Sequence, residues 1–378
     1  MINDCLIMAG GTGTRLWPAS SSRKPKQFLP TTKDGTESFF SLSLERAFQV
    51  VEENDGRVIV VTGKTHLPFV ITDCSKLNAS ERKRLVLIPE PEAKNTAAAI
   101  ACAIDYAGKT GGWNRTMLVL TSDHIIKPLD AFLKDVNTGA RFAEQNKLVV
   151  FGIYPIGPKT GFGYIEAADK LSGDIYSVTA FREKPDRKTA EHFIASKNYF
   201  WNSGMFVFCC DFLAEEYRRL ATDVIGPFEN LKPPDKNSYS EINGLCVLDS
   251  WTGLDQAYNQ TKRISFDYAI VEKCSKTVMI RASFDWIDIG SWDDYVLLLS
   301  GNSSANNTGT DVFSAETNGC FVDSDIPVAL AGVEDLIVVI RSGKDGSPPS
   351  ALITQKGKTQ LVRDIVEKLK QSDRKDIL

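Results

Sequence analysis

The chain has 378 residues, enough for two or three domains and a sizeable buried core. Apolar residues make up 43% and charged residues 24%, which excludes a mostly disordered chain. With 44 basic residues against 48 acidic ones the net charge is −4, so no overall basic field exists to hold nucleic acid or an anionic membrane, and any phosphate recognition must be local.

Short β-branched runs alternate with helical stretches from the start. Cys5–Ala9, Arg57–Thr62, Leu85–Ile88, Met117–Thr121 and Lys147–Phe151 read as buried strands. Phe39–Val51, Thr96–Ala107 and Leu129–Gln145 carry apolar residues at helical spacing between them, and Asn95 suits the start of the second. Strand, crossover and strand in repetition predict an α/β fold: a doubly wound, mixed but mainly parallel sheet with helices on both faces. From Gly152 to about Trp292 the pattern becomes mixed. A hairpin is expected around Gly161–Ile165, then strands at Tyr176–Arg182 and Met205–Phe208, and helices at Arg187–Ser196 and Phe212–Leu220. The polar run Ser300–Gly309 marks a domain boundary, giving a main domain over 1–300 and a tail domain over 310–378. The tail's short apolar runs are Cys320–Val322, Val328–Leu330, Leu336–Ile340 and Ala351–Ile353. They predict a small β-rich C-terminal domain, compatible with β-helix-like coils and closed by a helix near Gln360–Gln371. A unit of that size is marginal alone, so the tail should pack on the main domain or a second subunit.

No basic residue precedes Arg15, which is unlike a signal peptide, and no apolar run approaches the length of a membrane span. Eight scattered cysteines without a CxxC pair read as reduced thiols, and three distant histidines (His66, His124, His192) argue against a zinc site. The expected compartment is the cytoplasm.

Directly after the first strand comes Gly10-Gly11-Thr12-Gly13-Thr14-Arg15. Glycines there let the backbone turn sharply and aim N–H groups at an anion, and the position, at the carboxyl end of strand one, is where α/β sheets bind ligands. A dinucleotide fingerprint would need a glycine where Leu16 stands. The three Gly-Lys-Thr triplets lack the earlier glycine of a P-loop, having Val58, Ala103 and Leu352 there. Arg15, Arg23, Lys24 and Lys26 then place four cations in one short stretch. Beside a glycine loop this reads as a polyphosphate site, with Arg15 and Lys26 as its contacts.

The glycine loop followed by Lys-Pro-Lys-Gln-Phe resembles the sugar-1-phosphate nucleotidylyltransferases, and among them the mannose-1-phosphate guanylyltransferases. The likeness runs in order through GGTGTRLWPAS at 10–20, KPKQF at 24–28, EAKNTAAAI at 92–100, TSDHII at 121–126, GFGYIE at 161–166, FREKPD at 181–186, WNSGMF at 201–206, SFDYAIVE at 265–272 and DWIDIGSW at 285–292. Arg182, Lys94 and Phe266 depart from the common pattern without removing a required group. Longer relatives continue into a cupin domain, so the chain resembles the single-activity form.

The resemblance implies a Rossmann-like nucleotidyltransferase core and attack of a sugar-1-phosphate oxygen on the α-phosphate of GTP. Arg15, Lys26, Asp123 and Asp288 would be the catalytic set, with Asp123 and Asp288 holding Mg²⁺ or another divalent cation. A strand-end Asp123 capping the next turn, and Asp285 in place of Asp288, are the competing assignments. Gly10, Gly11, Gly13, Thr14, Glu90 and Asn95 would meet the nucleotide, Asn95 having a helix cap as its alternative role. Gly163, Glu183, Lys184 and Asn202 would meet mannose 1-phosphate, while Trp201 and Phe206 read as core. The expected assembly is a homodimer. Competing readings are thymidylyl or adenylyl transfer to glucose 1-phosphate and a catalytically silent, sugar-nucleotide-sensing subunit. A nicotinamide dehydrogenase is disfavoured by Leu16.

Overall fold

In the computed structural model the run Asp4–Ala9 forms strand β1, in which Cys5, Leu6, Ile7 and Ala9 are wholly shielded from solvent. A strand covered on both faces needs apolar residues at successive positions, so a continuous run and not an alternation marks it. Strands β2 (Arg57–Gly63), β3 (Leu85–Glu90) and β4 (Thr116–Thr121) repeat the pattern. All four pair in parallel, in the order β3-β2-β1-β4. The winding direction therefore reverses between β1 and β4, and the loops leaving their carboxyl ends diverge around a crevice. The structure describes residues 1–11, 13–51, 56–300, 311–344 and 346–378, so all of the predicted boundary run except Ser300 lies outside the described residues.

The remaining strands of this region are β5 (His124–Lys127), β6 (Leu148–Ile153), β7 (Tyr164–Ser172), β8 (Ile175–Arg182), β9 (Tyr199–Cys209), β10 (Ser240–Ile242), β11 (Leu245–Val247), β12 (Thr277–Arg281) and β13 (Asp285–Asp288). One 11-stranded sheet runs β10-β11-β3-β2-β1-β4-β9-β6-β12-β8-β7, and β5 with β13 makes a separate ribbon. The sheet is mixed: parallel around β1–β4, but with β9 antiparallel to both β4 and β6. The hairpin is displaced from its predicted place. Residues 161–165 lead into β7, and the turn comes at Gly173, whose φ of 52° suits glycine. Against the sheet lies the helix Thr96–Gly111, in which Ala97 through Ala103 are buried; alanines let it approach closely.

By compactness the chain falls into two units, Met1–Gly10 with Ser43–Ile287, and Gly11–Leu42 with Asp288–Leu378. The second unit unites the glycine loop and the KPKQF run with the tail. Its strands are β14 (Val312–Ala315), β15 (Phe321–Ser324), β16 (Val328–Ala331), β17 (Leu336–Arg341) and β18 (Ser350–Gln355). The pairs β14–β16 and β15–β17 are parallel, as successive coils of a β-helix are, and β18 closes the stack antiparallel to β17. Within this unit the tail is tied to the early segment by polar contacts. Trp17 Nε1 donates to the Ile377 carbonyl at 2.7 Å, and Trp292 Nε1 to the Trp17 carbonyl at 3.0 Å. Gly357 N and Thr359 Oγ1 both donate to Asp293, at the start of the helix Trp292–Ser300.

At the amino end of β1 in the first unit, Asp4 is fully buried. Arg57 binds it through two nitrogens at 2.8 and 2.9 Å, and Arg115 through two at 2.7 and 3.1 Å. Breaking such a cluster leaves buried cations without their counter-charge. Asp4→Ala should lower the unfolding free energy by about 3–5 kcal/mol in a denaturant titration. A loss below about 1 kcal/mol would mean that the arginines are readily rehydrated.

Candidate active site

In the first unit the carboxyl ends of β1, β3 and β4 supply Gly10, Glu90 and Asp123. A Cβ on Gly10 would stand 2.8 Å from Glu90 Oε1, so glycine lets the chain pass this carboxyl without displacing it. Glu90 ends β3 and is 6% exposed; burial pushes its carboxyl up to about 7, with Tyr258 pulling the other way. Asn95 takes up the helix-cap role, with a φ of 72° and its side-chain oxygen accepting from Thr96 N at 2.8 Å.

Asp123 follows β4 and is half-buried. Beside it the ring of His124 is fixed from two sides, Trp286 Nε1 donating to Nδ1 at 3.1 Å and Thr121 Oγ1 reaching the same atom. An indole N–H only donates, so Nδ1 accepts and the proton of neutral His124 sits on Nε2. That atom lies 3.7 Å from Asp123 Oδ1.

A second cluster in this unit gathers around β7, β8 and β9. A Cβ on Gly163 would stand 2.6 Å from Glu183 Oε2, so glycine again lets the backbone run beside a carboxylate. Asn202 N donates to the Gly163 carbonyl at 2.8 Å, joining the two predicted positions directly. The Glu183 side chain is 6% exposed and meets Lys184 Nζ, while the Lys184 side chain is 56% exposed. Lys184 has a φ of 47°, a costly conformation for a lysine that recurs at ligand sites. The sequence reading assigned no role to Asp267. It accepts from Asn202 Nδ2 at 2.9 Å, and burial, then Glu183, pushes its carboxyl up to about 7 against the pull of Lys184 and Asn202. Its signal was present in the SFDYAIVE block, and the turn Asp267–Val271 is a π-helical one, a form frequent at functional sites. Trp201 and Phe206 are buried, as core residues are.

The second unit holds the rest. Gly13 has a φ of 60°, and a Cβ there would stand 2.2 Å from Lys26 Cβ. Glycine thus packs the loop against the KPKQF run, and Ser20 Oγ pins it by donating to the Gly13 carbonyl at 2.6 Å. Thr14–Leu16 form one 3₁₀ turn that carries the exposed Arg15, with Gly11 exposed before it. Lys26 is 5% exposed, with Nζ 2.9 Å from Asp288 Oδ1 and 5.7 Å from the centre of the Phe39 ring. Asp285 is exposed, whereas Asp288 has this buried lysine as partner. The four-cation run divides: Arg23 and Lys24 are exposed, and Arg23 Nη1 donates to the Gly346 carbonyl at 2.9 Å.

Residues 4–301 match the nucleotidyl transferase family. The chain is 34% identical over 378 residues to a mannose-1-phosphate guanylyltransferase of Salmonella montevideo, covering 98% of this chain and 74% of that one. It is 33% identical to a mannose-1-phosphate guanylyltransferase of Escherichia coli, covering 98% of this chain and 76% of that protein. A solved structure from Thermus thermophilus, named a mannose-1-phosphate geranyltransferase, superposes with a TM-score of 0.78 at 27% identity over 98% of this chain and 100% of its own. The chain belongs to the nucleotidyl transferase family.

Proposed function

We propose that this chain transfers GMP from GTP to α-D-mannose 1-phosphate, giving GDP-mannose and pyrophosphate. One observation supports the reading: Lys26 pairs with Asp288 beside the glycine loop, and Gly163, Glu183, Lys184 and Asn202 gather in a separate cluster whose groups suit hydroxyls and a phosphate. The names of the relatives supply the base and the sugar.

A sugar-phosphate oxygen forms a bond to the α-phosphorus of GTP as the bond to the bridging oxygen of the β-phosphate breaks, and pyrophosphate leaves with that electron pair. A phosphomonoester is already largely ionised at neutral pH, so no general base is needed. The protein's work is positioning two polyanions and neutralising their charge. Backbone N–H groups at Gly10, Gly11, Gly13 and Thr14 meet the triphosphate, and Arg15 and Lys26 offset its charge. Glu90 accepts from the donor edge of guanine, with Asn95 close by in sequence. Gly163, Glu183 and Asn202 read the sugar hydroxyls, Asp267 orients Asn202, and Lys184 holds the sugar phosphate.

Asp123 and Asp288 suit a divalent cation such as Mg²⁺, since both offer hard carboxylate oxygens from side chains 33% and 19% exposed. Bound there, the ion would neutralise phosphate charge. Within this chain, Lys26 orients Asp288 and the Nε2–H of His124 faces Asp123.

The division into a catalytic domain over 1–300 and a tail over 310–378 is also ours, supported by the span of the family match. A cytoplasmic setting accords with eight free thiols, and no helix among the described residues is long and apolar enough to cross a membrane. We take the assembly to be a homodimer; the exposed Phe313 and Ile353 offer apolar surface for a second copy to cover.

Pyrophosphate release should be fastest with GTP and mannose 1-phosphate when each nucleoside triphosphate is offered with several sugar 1-phosphates and Mg²⁺. Preference for dTTP with glucose 1-phosphate would sink the substrate assignment, and no turnover with any pair would support the silent subunit. Asp123→Asn should cost at least about 10²-fold in kcat, the scale of losing one preorganised charge. Near-normal turnover would leave Asp123 a capping residue. Lys184→Ala should raise KM for the sugar phosphate far more than for GTP, and Arg15→Ala the reverse; equal effects would refute this division.

Glu90 gives a pH prediction. Its carboxyl is raised from 4.5 to about 7 on folding, so between those values the folded chain holds a proton that the unfolded chain has lost. The Glu90 contribution to stability therefore falls as pH rises through that window. Glu90→Gln should gain Tm over the parent on going from about pH 5 to about pH 8, while its preference for GTP over other triphosphates declines. A Tm difference flat with pH would show that Glu90 ionises normally.

A further inference from the structure

Trp286 has no place among the groups assigned to the transfer reaction. It lies in the first unit, half-buried on β13, the strand that pairs with β5, and β5 begins at His124. The indole stands edge-on to the His124 ring, with centroids 4.9 Å apart and planes at 76°. It is also edge-on to Phe162, at 5.3 Å and 71°. Phe162 in turn meets the buried Trp201 edge-on at 5.1 Å. Aromatic pairs favour this geometry, so the contacts hold the indole plane and keep its N–H on His124 Nδ1, at 3.1 Å.

That one contact decides which nitrogen of His124 carries the proton. Thr121 Oγ1 also reaches Nδ1, but a hydroxyl donates or accepts and so fits either tautomer. The indole only donates, and a proton on Nδ1 would set two N–H groups head to head. With Nδ1 bare, Nε2 presents an N–H toward Asp123 Oδ1, 3.7 Å away. In the other tautomer Nε2 would present a lone pair to that carboxylate and repel it. The His124 side chain is 10% exposed, so water screens little of the difference. We infer that Trp286 is a positioning residue: its N–H sets the tautomer of His124, and the ring then holds the Asp123 carboxylate ready for a divalent cation. Partners that orient a metal ligand in this way govern its affinity for the ion. The inference rests on the proposal above that Asp123 is such a ligand.

The tautomer is read by NMR of the metal-free full chain, isotopically labelled at the histidine ring nitrogens. The sequence has three histidines, so His124→Gln identifies the His124 signals. The parent and Thr121→Val should show a bare Nδ1 and a protonated Nε2. Trp286→Phe, which keeps a ring but loses the N–H, should move protons onto Nδ1; folding of each variant is checked by Tm. It should also raise the Mg²⁺ concentration for half-maximal turnover at least about tenfold, with little change in KM for mannose 1-phosphate. In a His124→Gln background, where no tautomer exists, Trp286→Phe should add no further rise. A protonated Nδ1 in the parent would overturn the inference without any variant. So would an unshifted tautomer in Trp286→Phe, a shifted one with an unchanged Mg²⁺ requirement, or a rise that persists in full without His124. Parent turnover that needs no divalent cation would strike the cation proposal, and the role of Trp286 with it, while the tautomer result stood.

Discussion

The reversal of winding between β1 and β4 is the constraint on which the first unit depends. Two parallel neighbours whose crossovers leave in opposite directions cannot have their carboxyl ends covered by the same loop, so the crevice there is a product of topology. Gly10 follows β1 directly, Asp123 lies two positions past β4, and Glu90 is the last residue of β3. Residue identity at each point then follows from space. Glycine at 13 is required by its positive φ and by the stem of Lys26, while glycines at 10 and 163 bring the backbone against the carboxyls of Glu90 and Glu183. In each case a glycine lies against a charged residue of the proposed site, so close backbone approach and charge placement are one requirement.

The two ends of the sheet in the first unit treat buried charge differently. At the amino end Asp4 meets four arginine nitrogens. At the other end, Glu90 and Asp267 are pushed up to about 7 because burial outweighs the help they receive. Groups held out of their preferred state are common where a ligand is to complete the environment, and proteins accept some instability for it. The satisfied cluster at Asp4 helps to offset that loss without taking part in recognition.

Much of this was legible in the sequence where the physics is local. Strands β1 to β4 announced themselves as unbroken apolar runs, and the helices Thr96–Gly111 and Arg187–Ser196 by the spacing of their apolar residues. The glycine loop was readable because turn chemistry depends on a few adjacent residues. Long-range pairing was not. Lys26 and Asp288 lie 262 positions apart, and no periodicity relates them. Short strands such as β5, β10 and β11 carry too few residues for a pattern, and the β7–β8 hairpin was misplaced because Gly161 and Gly163 imitate a turn. Asp267 was hidden for another reason: an aspartate inside an apolar helical run does not say which amide it will meet.

The makeup of the second unit bears on how the chain acquires activity during synthesis. Its early part, Gly11–Leu42, is translated long before its other part, Asp288–Leu378. Domains tend to fold as units, the earlier ones first, as they emerge from the ribosome. The first unit can close once residue 287 is out, yet the glycine loop must wait, its tryptophan and lysine unhoused, until Asp288 and the tail strands follow. A nascent chain would then gain its sheet early and its phosphate-handling loop only near the end of translation, so incomplete products would be left well folded but inert.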